Sequence, residues 1–293
     1  MYLKAVLIAV FVTFLWSTSW VLIKLGLSAS LPPLTFAGLR YTLAFGCLLP
    51  LVAFNPLQRT VLRRLSRRTW LSLAGLGLVY YTFAQGAQFL GLAYLPAAML
   101  SLILNLTPIL VAIYSSLTQH EPPTSWQWAG ILLAVLGTGT FFLPLALPAQ
   151  LLVGLAAGLI SLTTNAAGAI LGRQVNQHSG LHPLLVTTVS MGIGGILLLS
   201  VGLITQGFGK LTPFQWGAII WLAVVNTALA FTLWNFTLRM LTAVQSSILN
   251  SLMMPQIALL AWLVLAEPLS ARQIAGILLV ALGTLVVQVF RRG

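Results

Sequence analysis

The sequence predicts an all-α membrane protein in which ten transmembrane helices form two inverted five-helix repeats around a central cavity. Three observations predict this fold class. First, the chain is 59% hydrophobic and 5% charged, whereas soluble domains contain about 25% charged residues. Second, its apolar runs continue for roughly 20 residues, which suits spanning helices and not the short alternating segments of a membrane barrel. Third, a sequence block from the middle of the chain recurs near its end.

Ten apolar runs separated by turn signals give the predicted spans. Two of the connections, AYLPAA and LRMLTA, contain almost no loop. We interpret them as turns because Pro96 and Arg239, respectively, disfavour one very long membrane helix. The predicted spans are residues 5–27, 34–54, 70–92, 96–118, 126–145, 151–171, 183–204, 213–236, 241–265 and 271–290.

The basic residues predict the orientation of the chain. The net charge of +12 comes from having only two acidic residues, because 14 Lys and Arg in 293 residues is a sparse supply. We therefore expect no nucleic-acid partner. With the N-terminus inside, the outer side holds only Lys24, Lys210 and Arg272, a bias that places both termini in the cytoplasm. The predicted cytoplasmic basic residues are Lys4, Arg59, Arg63, Arg64, Arg67, Arg68, Arg173, Arg239, Arg291 and Arg292.

The recurring block indicates an internal duplication. HEPPTSWQWAGILLAVLGT, residues 120–138, and AEPLSARQIAGILLVALGT, residues 266–284, align at a shift of 146 residues. The alignment predicts two repeat domains, residues 1–145 and 151–293. Each repeat holds five spans, and because five is odd the second repeat enters the membrane from the opposite side. Inverted repeats of this kind place a binding site near the membrane midplane, where the halves meet.

The only two acidic residues, Glu121 and Glu267, stand just before the last helix of each repeat. Each is followed by the pattern of an N-terminal capping box, so we interpret both as structural landmarks and not as catalytic carboxylates. No acidic residue lies within a predicted span, which leaves no carboxylate for an intramembrane proton relay. The two boxes are Thr124 with Gln127 and Ser270 with Gln273.

Over its whole length the chain resembles the ten-helix EamA-type members of the drug/metabolite transporter superfamily. The resemblance rests on the paired EP…AGILL…LGT blocks, on FLWSTSWVLIKLGL in the first helix, and on LNLTPIL and NSLMMPQIALL. Within that superfamily it looks most like the bacterial aromatic amino-acid exporters. The resemblance implies a multi-pass protein of the bacterial inner membrane that exports small metabolites.

Polar and aromatic side chains inside the predicted spans are the candidate substrate-binding residues, because such groups tend to face a bundle interior or a water-filled cavity. Tyr81, Gln85 and Gln88 have the spacing of one helix face. The alternatives are interhelical hydrogen bonds for the amides and a membrane-interface position for the tryptophans. The candidates are Trp16, Trp20, Tyr80, Tyr81, Gln85, Gln88, Asn105, Asn165, Asn226 and Trp234.

Arg40 is a charged residue well inside the second predicted span. Two interpretations are open for it: its side chain snorkels outward to the membrane surface, or it faces the cavity and meets a substrate carboxylate or phosphate. Pro108, Pro255 and Asn250 are candidate hinge or gate residues, because interrupted helices in matching places mark transporter sites. Direct ligand contact and simple packing kinks are the alternatives for these three.

These features favour a secondary transporter that exports small metabolites by alternating access. Its substrates are expected to be amino acids with aromatic or large apolar side chains; the alternative is efflux of aromatic or quaternary cations. We expect no enzymatic activity, no cofactor, no metal site and no obligate protein partner. His178 and His182 have helical spacing but no thiol or carboxylate nearby in the sequence, which argues against metal binding. The expected partners are a small-molecule substrate and the lipid bilayer.

Overall fold

The computed structural model describes residues 2–26, 31–95, 100, 103–118, 122–142, 152–265 and 270–290. In this part of the chain all regular secondary structure is helical, which confirms the all-α prediction. Two predicted spans contain π-helical turns, at Gly77–Ala84 (the first π segment) and at Val224–Leu229 (the second π segment). The helices are α1 (Tyr2–Gly26), α2 (Pro33–Ala53), α3 (Pro56–Arg63), α4 (Arg67–Leu76), α5 (Gln85–Tyr94), α6 (Thr107–Leu117), α7 (Ser125–Phe142), α8 (Leu152–His178), α9 (Pro183–Gln206), α10 (Pro213–Ala223), α11 (Ala230–Thr237), α12 (Ala243–Asn250), α13 (Met253–Leu265) and α14 (Ala271–Val289).

Five of the described stretches are long and apolar enough to cross a membrane. Further apolar helices are shorter, and the count of ten spans stays a prediction. The predictions for Pro96, Glu121, Glu267, Arg291 and Arg292 fall outside the described residues, and that for Lys24 concerns a side chain outside them. The five long stretches are Tyr2–Trp20, Pro33–Ala53, Leu152–His178, Pro213–Thr237 and Pro183–Gln206.

The end predicted for the sixth span was wrong. Helix α8 continues to His178, so Arg173 lies within the helix and not in a loop beyond it. Its side chain is buried and donates a 2.7 Å hydrogen bond from Nη1 to the Leu238 carbonyl. A cation that donates a hydrogen bond to a carbonyl of a neighbouring helix can lie inside the bundle. The helix therefore continues past Arg173.

Both predicted capping boxes are present. The Thr124 amide donates to Gln127 Oε1 at 2.9 Å, and the Gln127 amide donates to Thr124 Oγ1 at 3.2 Å. The second box, at the start of α14, repeats this exchange between Ser270 and Gln273 at 2.8 and 3.3 Å. Each box satisfies two of the amide groups that a helix start leaves without an intrahelical partner.

Helices α7 and α14, which these boxes open, pack closely against each other through glycines. A Cβ atom added to Gly130 would lie 2.6 Å from the Gly283 carbonyl oxygen, and one added to Gly137 would lie 2.7 Å from that of Gly276. The shift of 146 equates Gly130 with Gly276 and Gly137 with Gly283. Each glycine therefore contacts the equivalent of the other, as a two-fold axis between antiparallel helices requires.

Helices α2 and α9 form a second close antiparallel pair. A Cβ atom added to Gly38 would fall 2.6 Å from the Leu199 amide nitrogen, and one added to Gly202 would fall 2.6 Å from that of Thr35. The residue numbers thus run in opposite directions along the two helices. Small residues let membrane helices approach closely, and these two pairs join the halves as inverted copies, in agreement with the predicted two-repeat fold.

The third predicted span of each repeat carries its π-helical turns at the same place. A shift of 146 places residues 78–83 on 224–229, which are the residues of the second π segment. A π-helix bonds residue i to residue i+5 and is frequently found at functional sites. Because one extra residue enters each turn, the side chains that share a face differ from those that α-helical spacing predicts.

Candidate substrate cavity

A cluster of aromatic rings lies between the two π segments and α1. Phe231 is at its centre, with ring centroids 4.9 Å from Trp16, 5.1 Å from Tyr81, 5.7 Å from Tyr80 and 5.9 Å from Tyr41. Trp16, Tyr41, Tyr81 and Phe231 are buried. The cluster joins both halves of the chain and forms a rigid aromatic wall.

Beside this wall is a cavity with two adjoining lobes, each about 60 Å³ in volume. Five residues line both lobes, so the lobes are parts of one site. The first lobe also contains Arg40, Tyr41, Gln85 and Phe231, and the second also contains Asn105, Ser251 and Met254. The five shared residues are Trp20, Gln88, Asn165, Asn250 and Met253.

Arg40 faces this cavity, so the interpretation that it snorkels outward was wrong. Its side chain is 4% exposed. Nε donates to Thr227 Oγ1 at 2.7 Å, and Nη2 donates to the Asn226 carbonyl at 3.3 Å. Both acceptors lie on the second π segment, and the guanidinium lies 5.6 Å from the centre of the Tyr41 ring. These neutral acceptors fix the cation in place and leave its charge without a carboxylate partner among the described residues.

The π turns decide which tyrosine lines the cavity. Tyr81, which was predicted to share a face with Gln85 and Gln88, lines neither lobe. Its ring is buried in the aromatic cluster. Tyr80, five residues before Gln85, lines the first lobe instead. This i, i+5 spacing is that of a π-helix. Gln85 itself accepts a 2.7 Å hydrogen bond from the Tyr41 hydroxyl at Oε1.

Asn226 and Trp234 lie behind the cavity wall and line neither lobe. Asn226 is fully buried, and its Nδ2 donates to the Leu15 carbonyl and, at 2.9 Å, to Thr18 Oγ1. The ring of Trp234 lies 5.1 Å from that of Trp16. Both residues hold α1 in position against the second repeat, which is a supporting role for the cavity.

The fourth and ninth predicted spans are interrupted beside the second lobe. Residues Asn105 and Leu106 form a turn before α6, and the Leu104 carbonyl accepts a 2.5 Å hydrogen bond from the Thr107 hydroxyl. In the second repeat a turn at residues 251–252 separates α12 from α13. Interrupted helices at midspan are typical of transporter binding sites.

Among the predicted hinge residues, only Asn250 lines the cavity. Pro108 and Pro255 are buried in the first turns of α6 and α13, next to the interruptions. Asn250 Oδ1 is buried with no hydrogen-bond partner in the described part of the chain, and the same is true of Trp16 Nε1. Buried polar atoms are normally satisfied, so an acceptor and a donor at this cavity are available to a ligand.

Several lining residues were not predicted from the sequence. Tyr41 and Phe231 form much of the first lobe, and Met253 and Met254 line the second. The repeat contained a signal for one of them, because the shift of 146 equates Phe231 with Gln85, which was a candidate. The methionines carry no such signal, since an apolar residue in a membrane helix faces lipid or cavity equally well.

The cavity predicts a difference in cysteine accessibility. In a background with the single native cysteine removed by Cys47→Ser, a cysteine at Asn165 is expected to react at least about tenfold faster with a small charged thiol reagent than one at Asn226, because access governs thiol reactivity. Asn165 lines both lobes, whereas Asn226 is enclosed. Modification rates measured by mass spectrometry test this, and equal rates at the two positions would contradict the cavity as described.

Comparison with protein families matches the chain to the EamA-like transporter family in two stretches, residues 3–143 and 152–289. A curated relative is the uncharacterized transporter YvbV of Bacillus subtilis, 28% identical over 283 residues that cover 94% of this chain and 89% of YvbV. Another is named a probable amino-acid metabolite efflux pump of Salmonella typhimurium, 28% identical over 94% of this chain and 92% of that protein.

Two further comparisons agree with this match. Protein PecM of Dickeya dadantii is 26% identical over 74% of this chain and 76% of its own length. A solved crystal structure superposes with a TM-score of 0.81 at 18% identity, covering 100% of this chain and 99% of that chain. At this identity the likeness shows the fold alone.

Proposed function

This chain belongs to the EamA-like transporter family, and we propose that it exports amino acids with aromatic or large apolar side chains by alternating access. The family makes it a membrane transporter. The observation that carries the substrate class is Arg40, a buried guanidinium at the cavity whose partners in the described structure are all neutral. A planar guanidinium matches the geometry of a carboxylate and binds it tightly in a water-poor site.

The rest of the cavity suits the other parts of such a substrate. Phe231, Tyr80 and Trp20 offer aromatic surfaces, and Met253 and Met254 are flexible apolar groups that adapt to different side chains. The unpartnered Asn250 Oδ1 is an acceptor for the substrate ammonium group. An acceptor without formal charge is sufficient to bind the substrate ammonium group, because the ammonium is already paired with the carboxylate of the same molecule.

The same arrangement argues against the alternative substrate class of aromatic or quaternary cations. The Arg40 charge repels a ligand that is only cationic, and the described residues include no acidic side chain that would balance it. A relative named as a probable amino-acid metabolite efflux pump supports amino acids as substrates.

We place the protein in the bacterial inner membrane with both termini in the cytoplasm. Under that orientation, Trp20, Gln88 and Asn105 fall in the outer halves of their predicted spans. Asn165 and Asn250 fall in the inner halves of theirs, so the cavity lies near the membrane midplane. The inner ends are closed by a buried chain of hydrogen bonds. Asn176 Nδ2 donates to Asn235 Oδ1 at 2.6 Å, and Asn235 Nδ2 donates to Thr187 Oγ1 at 2.9 Å.

Alternating access would break this inner contact when the cavity opens to the cytoplasm. The interruptions at residues 105–106 and 251–252 would serve as the hinges, because a helix end can absorb a change in backbone angles that a continuous helix cannot. Pro108 and Pro255 keep these positions from forming regular helix.

Counterflow in proteoliposomes tests the proposed function. Purified protein in vesicles loaded with unlabelled L-phenylalanine is expected to take up labelled L-phenylalanine, and vesicles without protein are the control. Tyrosine, tryptophan and methionine are expected to compete more strongly than tetramethylammonium or tetraphenylphosphonium. Absence of flux for every aromatic amino acid and methionine would refute the substrate class, and stronger competition by the cations would favour the alternative.

A further inference from the structure

A second cavity, of about 560 Å³, lies between α4 and the C-terminal end of α8. It shares no lining residue with the substrate cavity. Its polar lining combines two cationic or protonatable side chains with three hydroxyls and an amide. These residues are Arg68, His178, Thr69, Ser72, Ser179 and Gln174.

The surroundings of this cavity are strongly basic. Five arginines, at positions 59, 63, 64, 67 and 68, are exposed within ten residues of sequence, and the described residues contain no acidic side chain. Two of the five, Arg67 and Arg68, occupy the first turn of α4, where the positive helix end disfavours cations. A bound anion would relieve this repulsion.

Large apolar side chains are exposed next to the arginines. Phe54 is 86% exposed and Leu57 69% exposed, at the start of the short helix α3, whose other exposed residues include Arg59 and Arg63. On α4 the exposed Leu71 follows the cavity residues Thr69 and Arg68. Apolar and cationic side chains exposed on one short helix are typical of a helix that lies in the headgroup region of a membrane.

We propose that this second cavity binds the phosphate group of an anionic phospholipid. The Arg68 guanidinium and the hydroxyls of Thr69 and Ser179 are donors suited to phosphate oxygens. The chemistry alone would also accept free inorganic phosphate. The exposed Phe54, Leu57 and Leu71 favour the lipid, because they provide a surface for acyl chains that a free anion would not use. Basic pockets between membrane helices on the cytoplasmic side are suited to such headgroups.

The test compares lipid binding by wild type and an Arg68→Gln/His178→Gln variant in detergent. Native mass spectrometry with added phosphatidylglycerol is expected to show retained lipid on wild type, and a dissociation constant about tenfold higher for the variant. The lost Arg68 charge contributes roughly a factor of several, and the lost imidazole removes a further hydrogen-bond donor. Phosphatidylcholine is expected to bind more weakly to both proteins. Both residues are exposed, so the double variant is expected to fold, and thermal unfolding measures whether it does. If the double variant does not fold, Arg68→Gln alone is tested in its place.

The matched control is Arg59→Gln, which removes one exposed charge of the same cluster outside the cavity. Its affinity for phosphatidylglycerol is expected to stay within about twofold of wild type. Equal losses in the control and the cavity variant would mean diffuse attraction and would overturn the site. Stabilisation of wild type against heat by inorganic phosphate, without lipid and lost in the cavity variant, would assign the cavity to a free anion and overturn the lipid assignment. None of these results depends on which substrate the protein transports.

Discussion

Replacing Arg40 by glutamine is expected to weaken binding of L-phenylalanine by about 10- to 100-fold and not to weaken binding of phenethylamine. A hydrogen bond to a charged group contributes about 1.5–3 kcal/mol, and each 1.4 kcal/mol is a factor of ten in affinity. Phenethylamine has the aromatic ring and the ammonium group but no carboxylate, so it loses no contact with Arg40 and is no longer repelled by its charge. Calorimetric titration of the purified protein in detergent measures both affinities.

Two further variants separate the effect of the Arg40 charge from the effect of the position of its guanidinium. Arg40→Lys keeps the charge but loses the planar fork, so we expect part of the affinity for L-phenylalanine to be lost. Thr227→Val removes the acceptor that holds Nε at 2.7 Å, and a smaller loss is expected because the Asn226 carbonyl remains. An equal loss of phenethylamine binding in Arg40→Gln would show that the residue supports the cavity structure and does not bind a carboxylate.

The substitution Gly130→Val is expected to lower the free energy of unfolding by about 1–3 kcal/mol or more, the cost of overpacking a close contact. The added Cβ would lie 2.6 Å from the carbonyl oxygen of Gly283, so α7 and α14 would have to move apart along the contact between the repeats. Gly283→Val, on the other side of the same contact, is expected to have a similar effect. Thermal unfolding in detergent measures the change in midpoint.

The control for this experiment lies on the same helix. A Cβ atom added to Gly139 meets no atom within 4 Å, so Gly139→Val changes helix propensity by the same amount and creates no clash. Its unfolding midpoint is expected to lie close to that of wild type. A fall in the Gly139→Val midpoint equal to that of Gly130→Val would mean that valine in this helix, and not the approach of α14, is responsible.

The features that could be predicted from sequence are those that depend on local or averaged properties. Composition and run length decide the helical membrane class, and the boxes at Thr124 and Ser270 form from residues three apart. The duplicated block predicts the inverted arrangement, because odd parity of the spans follows from counting alone. These predictions need no knowledge of which helices touch.

The details of the cavity depend on contacts between helices and escaped prediction for that reason. The π turns at 77–84 and 224–229 have no composition that distinguishes them from α-helix. Both Tyr80 and Tyr81 were therefore candidates, whereas only Tyr80 lines the cavity. The outward interpretation of Arg40 failed because its acceptor, Thr227, is distant in the sequence. Asn226 and Trp234 are polar or aromatic residues within a predicted span, but they support the cavity wall and do not line it.

The glycine contact between α7 and α14 has a consequence for the origin of the chain. Both halves use the same glycine surface for this contact. A single five-helix unit that inserted in both orientations could therefore bind its own inverted copy. That is the contact of a homodimer with antiparallel subunits. The two halves of this protein therefore pack as a fused homodimer, in which the covalent link fixes one orientation for each half. Because each half has only one orientation, Arg40 and Thr227 can differ from the residues at the equivalent positions of the other half.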